Sequence, residues 1–562
     1  MVELGSGKKR RRHFLKGMGC AFTAFVGGSI VSEGDAQVRK SSALPIGPAS
    51  LFNLGVVDGN ASAPPGKTQM VFNIRDYGAR GNGTDVDTPA INDSIAAAAR
   101  AGGGIVFFPA GNYLCFSIHL ASNITLYLDR GAVVIAAENG ALGSYDAAES
   151  NAPYEAYQDY HHNHWHNSLI WGEGLSNLGI IGGGLFWGRG LSRGDRENKP
   201  FAEDPGVGSR VIALKNCRNV ELRGFSILKG GTMGILATGV DNLVIDGLTI
   251  DTNRDGMDID CCRNVRIANC GVNSPWDDAI CLKSSYALGN PRPTENLTIT
   301  NCYVTGAYQL GSMLDGSWKK WPEENHPPQH GRIKFGTESN GGFINSTVSN
   351  CVFEGCRGFA LESVDGARLE DMTITNITMR NLIAPPLFIR LGARMRGPQG
   401  AQIGTVKRIL ISDIVAANDY ALFSSVISGI PGAQIEDIKI RNMFIEHQGG
   451  GTKDMAGRQL EENEKDYPEH SMFGDVIPAQ GFFLRHLKNI EMSDIEIRSQ
   501  KPDFRPPFLL NDVSGADFWH VKANVSAGTP MFLLTNVKDF AVARSKPLKD
   551  TEISRVAETV SI

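Results

Sequence analysis

The sequence predicts an all-β chain: a single-stranded right-handed parallel β-helix with a short N-terminal helical cap. Three observations carry this. A pattern that begins with Asn, an apolar residue, any residue and Ile or Leu starts at Asn219, Asn242, Asn264 and Asn296, and returns at residues 369–377, 408–414, 438–445 and 489–497. Repeats with periods in the twenties to low thirties belong to solenoids, in which each coil buries its inward side chains against its neighbours. The repeated runs are also short, alternating and rich in Val, Ile and Thr, which favours strands over helices. Finally, Asn216-Cys217, Asn269-Cys270, Asn301-Cys302 and Asn350-Cys351 are expected at equivalent places in their repeats. Stacked Asn side chains can bond from coil to coil, and buried Cys packs as a small hydrophobe. No Cys-x-x-Cys pair has a zinc-like partner, so the cysteines read as core. Cys261-Cys262 is expected to place one side chain in and one out.

Taken in order, the chain opens on an address. Residues 8–16 read Lys-Lys-Arg-Arg-Arg-His-Phe-Leu-Lys, and Arg11-Arg12-His13-Phe14-Leu15-Lys16 matches a twin-arginine export signal. The weakly apolar stretch that follows, to about Ile30, is too short and too polar for a membrane span. The expectation is a signal peptide over 1–36, a linker over 37–69, a periplasmic or secreted mature protein, and the twin-arginine translocase as partner during export. That route carries folded proteins, which suits a chain with many reduced, buried cysteines. Without residues 1–36 the chain holds 49 Lys/Arg and 57 Asp/Glu, a net charge of −8. Such an acidic protein is a poor general binder of nucleic acid.

With 562 residues, 65 of them Gly, and 42% hydrophobic content, the chain can bury a large core. One elongated domain is expected over 70–545, interrupted by insertions at about 307–329 and 449–475, with a tail over 546–562. The run 91–100 reads as a short amphipathic helix able to cover the solenoid's open end, which would blunt an exposed sheet edge. The segments beginning at Phe518 and Met531 keep strand-like patterns.

The chemistry lies in two motifs one repeat apart: Asn253-Arg254-Asp255-Gly256-Met257-Asp258 and Trp276-Asp277-Asp278-Ala279-Ile280. Asn242 and Asn264 are 22 residues apart, and so are Asp255 and Asp277. Stacked strands lie about 4.8 Å apart, so Asp255 is expected to stack near the Asp277-Asp278 pair. Clustered carboxylates push at least one pKa upward, and the raised one can serve as an acid near neutrality. Asp258 and Asp260 are expected to satisfy backbone groups or order the coil. The cluster His161-His162-Asn163-His164-Trp165-His166 reads as a loop at a cleft wall rather than a metal site.

With these motifs the chain resembles glycoside hydrolase family 28, the polygalacturonases and rhamnogalacturonases, over roughly residues 70–450. The opening at 72–92 resembles that of many β-helix carbohydrate enzymes. The block His330-Gly331-Arg332-Ile333-Lys334-Phe335-Gly336-Thr337-Glu338 looks like the family's His-Gly segment and the turn that follows it. The resemblance implies a pectin-lyase-like solenoid and a glycosidase that needs neither cofactor nor metal. It also implies inversion at the anomeric carbon, in which one carboxyl protonates the leaving oxygen and another activates water. By resemblance Asp277 is the general acid, Asp255 and Asp278 position the water, and His330 tunes the acid or holds substrate.

One departure bears on the substrate. Where the family carries Arg-Ile-Lys, this chain reads Gly358-Phe359-Ala360-Leu361-Glu362-Ser363, with Ala360 at the Arg position and Glu362 at the Lys position. A cationic clamp for a uronate is replaced by neutral and anionic groups, which favour it less. Lys283, Arg332, Lys334 and Arg390 are candidates to supply the missing charge, and Glu338 is a further substrate contact implied by the resemblance. In the first insertion, Trp318, Lys319, Lys320 and Trp321 offer rings to stack on sugar and cations to meet an acidic substituent. A loop closing one end of the cleft favours end-cutting or short oligosaccharides. The competing readings are a polysaccharide lyase or epimerase, with the Asp trio as a calcium cage and Lys283 or Lys334 as base, and a noncatalytic carbohydrate-binding β-helix.

Overall fold

The computed structural model describes residues 70–562 except 160–161, 194–203, 253, 321–328 and 420–421. The expected signal peptide and linker therefore lie outside the described residues, as do His161, Asn253 and Trp321. Over the rest the chain is a right-handed parallel β-helix whose successive strands pair coil to coil in three parallel ladders.

The ladder that matters here contains β1 (Met233–Thr238), β2 (Asp255–Asp260), β3 (Ile280–Ser284), β4 (Ile333–Ser339), β5 (Phe359–Ser363) and β6 (Leu387–Leu391), each hydrogen-bonded to the next. Alternation decides which side chains face the core. Met257 and Ile259 of β2, Ile280 and Leu282 of β3, and Leu361 of β5 point inward into one continuous core. Each buried Leu or Ile contributes roughly 1.5–3 kcal/mol, so this row is the mechanical spine of the fold.

The corners explain the Asn pattern. Asn177, Asn219, Asn242, Asn264, Asn296 and Asn345 all adopt left-handed backbone, with φ between 54° and 60°. Asn tolerates that region far better than other residues with a Cβ. Their side-chain amides form one ladder: Asn264 Nδ2 donates to Asn242 Oδ1 at 3.0 Å, and Asn296 Nδ2 to Asn264 Oδ1 at 3.1 Å. A second corner carries Asn269, Asn301 and Asn350, with Cys270, Cys302 and Cys351 beside them in the core. Asn216-Cys217 is not equivalent to these. It lies between the strands Arg210–Lys215 and Arg218–Arg223, a different corner of the coil, because pattern without register cannot tell one corner from another. Cys261 and Cys262 are both buried, Cys262 within the core and Cys261 outside it, its Sγ against Asp260 Oδ1 and the Ser285 carbonyl. Cys261 itself sits at a left-handed turn (φ 54°). All nine described cysteines are free.

The helix α1 (Thr88–Arg100) lies against the strands Val71–Asn73 and Gly104–Phe108 and buries Ile91, Ile95 and Ala98, covering the N-terminal end of the sheet. It starts a little before the expected run, with a proline in its first turn, where a missing N–H costs nothing. At the other end, Thr551–Val556 and Val560–Ser561 pair antiparallel with Phe532–Ala543 and occupy the last open edge.

Candidate active site

The outward-facing positions of the β1–β6 ladder build the site. In register, one row runs Trp171, Ala213, Leu236, then Asp258, Cys281, Lys334, then Ala360, Phe388, Val426 and Phe483. Its middle is polar and both ends are apolar. At the N-terminal end, Trp165 from the His-rich loop packs with Ala213, Met233 and Leu236. At the C-terminal end, Phe473, Ile477 and Ala479, in and just after the second insertion, pack over Ala360, Phe388 and Val426. Ala360 is 0% exposed. The position where the resemblance leads one to expect Arg is thus both neutral and roofed over. A polar window about three coils long remains between the two covers.

Within it the sequence motifs meet. The Asp278 N–H donates to Asp255 Oδ1 at 3.2 Å. Ligand atoms of Asp277, Asp278 and His330 lie within 4.8 Å of one another. The Asp277 side chain is 25% exposed, whereas Asp255 is 4% and Asp278 2% exposed, so Asp277 is the carboxylate of the trio that faces outward. Asp277 Oδ2 accepts from Arg254 Nη2 at 2.8 Å. Asp278 accepts from Arg332 Nε at 2.8 Å and lies 3.4 Å from Lys334 Nζ. Asp260 has the structural role expected of it, accepting from the Ser285 N–H and hydroxyl. The Asp258 oxygens have no hydrogen-bond partner, and Lys283 Nζ is 3.6 Å away.

These neighbours split the carboxyl pKa values. Burial, then Asp258 and Asp277, push Asp255 well above the usual carboxylate range. Burial also opposes charge on Asp277, but Arg254 outweighs it and holds this carboxyl below its ordinary value. At Asp278, Lys334 and Arg332 outweigh burial in the same way and keep it ionised. Burial lifts Glu362 to about 7 against the pull of Lys334, 3.8 Å away. Burial and Arg357 bring His330 down to about 4, so it is neutral at neutral pH. Crowding does raise a carboxyl, but the raised one is Asp255 rather than Asp277, because Arg254 sits against the latter.

The candidate cations for a uronate are already engaged. Lys283 Nζ is 3.0 Å from Glu338 Oε2, Lys334 lies between Asp278 and Glu362, and Arg332 joins Asp278 to Glu469. Arg390 binds Ser428 Oγ and the Glu462 carbonyl, tying down the second insertion instead of facing a ligand. Glu338 is fully buried and accepts from the Asp159 N–H at 2.7 Å, with His162 Nδ1 at 2.8 Å. It therefore anchors the His-rich loop. Trp318 stacks on Tyr308 with ring centroids 4.0 Å apart, inside a hairpin formed by Tyr308–Leu310 and Lys319–Lys320.

Groups that could hold a cation are Asp159/His162/Glu338, His162/Asp255/Asp258, Asp255/Asp278/Cys281 and Asp277/Asp278/His330. Each includes a carboxylate with a Lys or Arg already within ion-pairing distance. Those cations supply the charge balance that a divalent ion would otherwise bring.

Sequence reasoning missed three residues. Arg254 was in plain view inside the first motif. Tyr467 and Glu469 come from the second insertion: the Tyr467 hydroxyl bonds Thr337 Oγ1 at 3.0 Å, and Glu469 bonds Arg332 and, at 2.7 Å, Arg357. No motif marks either one.

Two family models match the chain: "Rhamnogalacturonase A/epimerase, pectate lyase-like" over residues 71–185 and "Right handed beta helix region" over 210–383. A probable polygalacturonase of Vitis vinifera is 26% identical over 264 residues, 43% of this chain and 51% of that protein. The chain is a right-handed parallel β-helix similar in sequence to polygalacturonases. It spans about half the length of the curated relatives it matches. An exopolygalacturonase of Thermotoga maritima shares the fold of this chain with a TM-score of 0.54 and 18% identity, covering 77% of this chain and 93% of that one. A mannuronan C5-epimerase of Azotobacter vinelandii matches at 54% identity over only 44 residues, 8% of this chain and 2% of the epimerase.

Proposed function

We propose that this protein is an exported, inverting glycoside hydrolase that cuts a pectic or related acidic oligosaccharide from its end. The observation that carries the reading is the short polar window, covered at both ends, with Asp277 facing outward between ionised Asp278 and neutral His330. A window closed at both ends accepts a chain terminus or a short oligosaccharide and obstructs a polymer lying across it.

Inversion needs one protonated carboxyl and one carboxylate. Asp278 stays ionised and activates water. Asp277 reaches the leaving oxygen. Its pairing with Arg254 keeps it ionised at rest, so the incoming sugar must loosen that pair before Asp277 can carry a proton. His330, uncharged, offers a hydrogen bond to water or a sugar hydroxyl. The lyase reading is weaker here. Burial opposes charge on Lys283, but its acidic neighbours Cys281, Glu338 and Asp258 outweigh it and hold the pKa well above normal. For Lys334, Asp278 and Glu362 outweigh burial likewise. An ammonium held protonated is a poor base. Export rests on the Arg11-Arg12 motif.

The test is to incubate the protein and its Asp277→Asn variant with pectic and neutral oligosaccharides, reading mass and anomeric configuration. Products that gain one water with inverted configuration are expected, made about 10²–10⁴-fold more slowly by the variant. Unsaturated products would move the assignment to a lyase, and an equally active variant would remove Asp277 from the acid's role.

A further inference from the structure

A cleft of ≈ 130 Å³ lies directly beside Asp277, outside the groups used so far. Arg193, Lys229, Thr252, Trp276 and Tyr308 are among its lining residues. We propose that it is a carboxylate-binding sugar subsite, in which Lys229 and Arg193 receive a uronate and Trp276 carries the face of its ring. This rests on the hydrolase reading and deepens it: the charge recognition absent at residues 360 and 362 lies on the opposite side of the catalytic carboxylates.

Four observations converge. The first is charge. Lys229 and Arg193 are exposed and, among the described residues, neither takes part in an ion pair, whereas Lys283, Arg332, Lys334 and Arg390 are all engaged. The acid in the cleft wall, Asp251, forms no ion pair with either. Its Oδ1 accepts from Asn273 Nδ2 at 2.9 Å and its Oδ2 from the Met313 N–H at 2.8 Å.

The second is the platform. Trp276 immediately precedes Asp277 and is 43% exposed, a large ring left in water one residue from the site carboxylate. Aromatic faces of this kind pack against the apolar face of a sugar, and the indole N–H keeps a polar handle. The third is support. Tyr308, which also lines the cleft, stacks on Trp318 with ring centroids 4.0 Å apart. The first insertion thereby gains a role, since its tryptophan braces the subsite rather than touching the sugar.

The fourth is backbone. Most left-handed corners of this solenoid that are not Gly carry Asn or Asp, but the corner at φ 56° after Leu228 carries Lys229. A residue with an ordinary Cβ and no local side-chain bond costs about 1–2 kcal/mol in that region. Lys229 shares this with Cys261, Met395, Arg408, His486, His520 and Arg544, and among these it is the one that lines the cleft beside Trp276.

The experiment uses trigalacturonate and its fully methyl-esterified form as probes, titrated calorimetrically into Asp277→Asn protein with and without Lys229→Ala plus Arg193→Ala. Both cations are exposed, so the variants are expected to fold as the parent does, which circular dichroism checks. The double change is expected to weaken trigalacturonate about 10–100-fold, with a shallower salt dependence, and to leave the ester within about twofold. Trp276→Ala is expected to weaken both probes alike. Equal losses for acid and ester on removing the cations, unchanged acid binding, or no binding of trigalacturonate at all would each overturn the subsite. If the parent enzyme hydrolyses oligosaccharides while acid binding ignores the two cations, the subsite fails and the hydrolase stands. If nothing is hydrolysed but acid binding needs the cations, the subsite stands and the hydrolase reading fails.

Discussion

Restoring the family's cation at residue 360 should damage this protein rather than improve it. Ala360 is wholly buried on the outer face of β5, in register with Lys334 on one side and Phe388 on the other, under Phe473 and Ile477. Ala360→Arg adds a long side chain to a filled apolar cluster, which costs about 1–3 kcal/mol by overpacking alone. It also buries an ion beside another cation, Lys334, at several kcal/mol unless it finds a partner. Glu362 lies on the same face with both oxygens unbonded and can offset part of that cost. A net loss of at least ~3 kcal/mol follows. Solenoids open locally, so the assay is hydrogen exchange on peptides spanning 359–363 and 387–391. Opening should become about 100-fold more frequent there, since every 1.4 kcal/mol is tenfold, while coils near α1 stay unchanged. Wild-type exchange together with increased cleavage of polygalacturonate would refute the reasoning, because it would mean that position 360 opens on the cleft.

Two more perturbations address single interactions. Arg254→Met removes the cation that holds Asp277 ionised, so the Asp277 pKa should rise; if Asp277 must be protonated to act, the alkaline limb of kcat/KM should move to higher pH. An active variant with an unmoved limb would separate Arg254 from the acid. Asn264→Ala should cost more than Asn264→Gly by about 1 kcal/mol, read as melting temperature or local exchange, because both lose the bonds to Asn242 and Asn296 but only Ala pays for the left-handed corner. Equal effects would assign the whole cost to the ladder bonds.

The fold was legible because a solenoid writes its register into the sequence. The 22-residue offset between Asn242 and Asn264 is also the offset between paired strands, where Asp241 stands against Arg263 and Leu243 against Val265. On the ladder of β2 and β3 the offset is 23, Met257 standing against Ile280, and it brings Asp255 beside Asp278. Corners were less legible: Asn216-Cys217 copies the look of Asn269-Cys270 at a different bend. The protonation pattern was not legible at all from the Asp residues alone. It depends on Arg254, Lys334 and Arg332, of which only the last two lie in the expected block. Nor could Tyr467 and Glu469 be placed, since a long insertion carries no period from which to infer where it lands.

The substitution at 360 and 362 shows how such a departure should be weighed. Read alone, Ala360 and Glu362 suggest a lost function, because a clamp has gone. In register, Ala360 begins an outward row that becomes apolar through Phe388, Val426 and Phe483 and is covered by Phe473, whereas Glu362 stands against Arg390 and, beyond it, Ser428 and Arg485. A charge at 360 would be buried among apolar side chains, unlike Arg390 and Arg485 in the neighbouring row, which are buried but bonded to carbonyls of the covering insertion. The same row turns apolar again at Leu236 under Trp165, which sets the other limit. The polarity of successive outward positions therefore measures the length of the open cleft. Among the described residues, the cations without an ion pair beside this window are Lys229 and Arg193, on the flank where Trp276 stands.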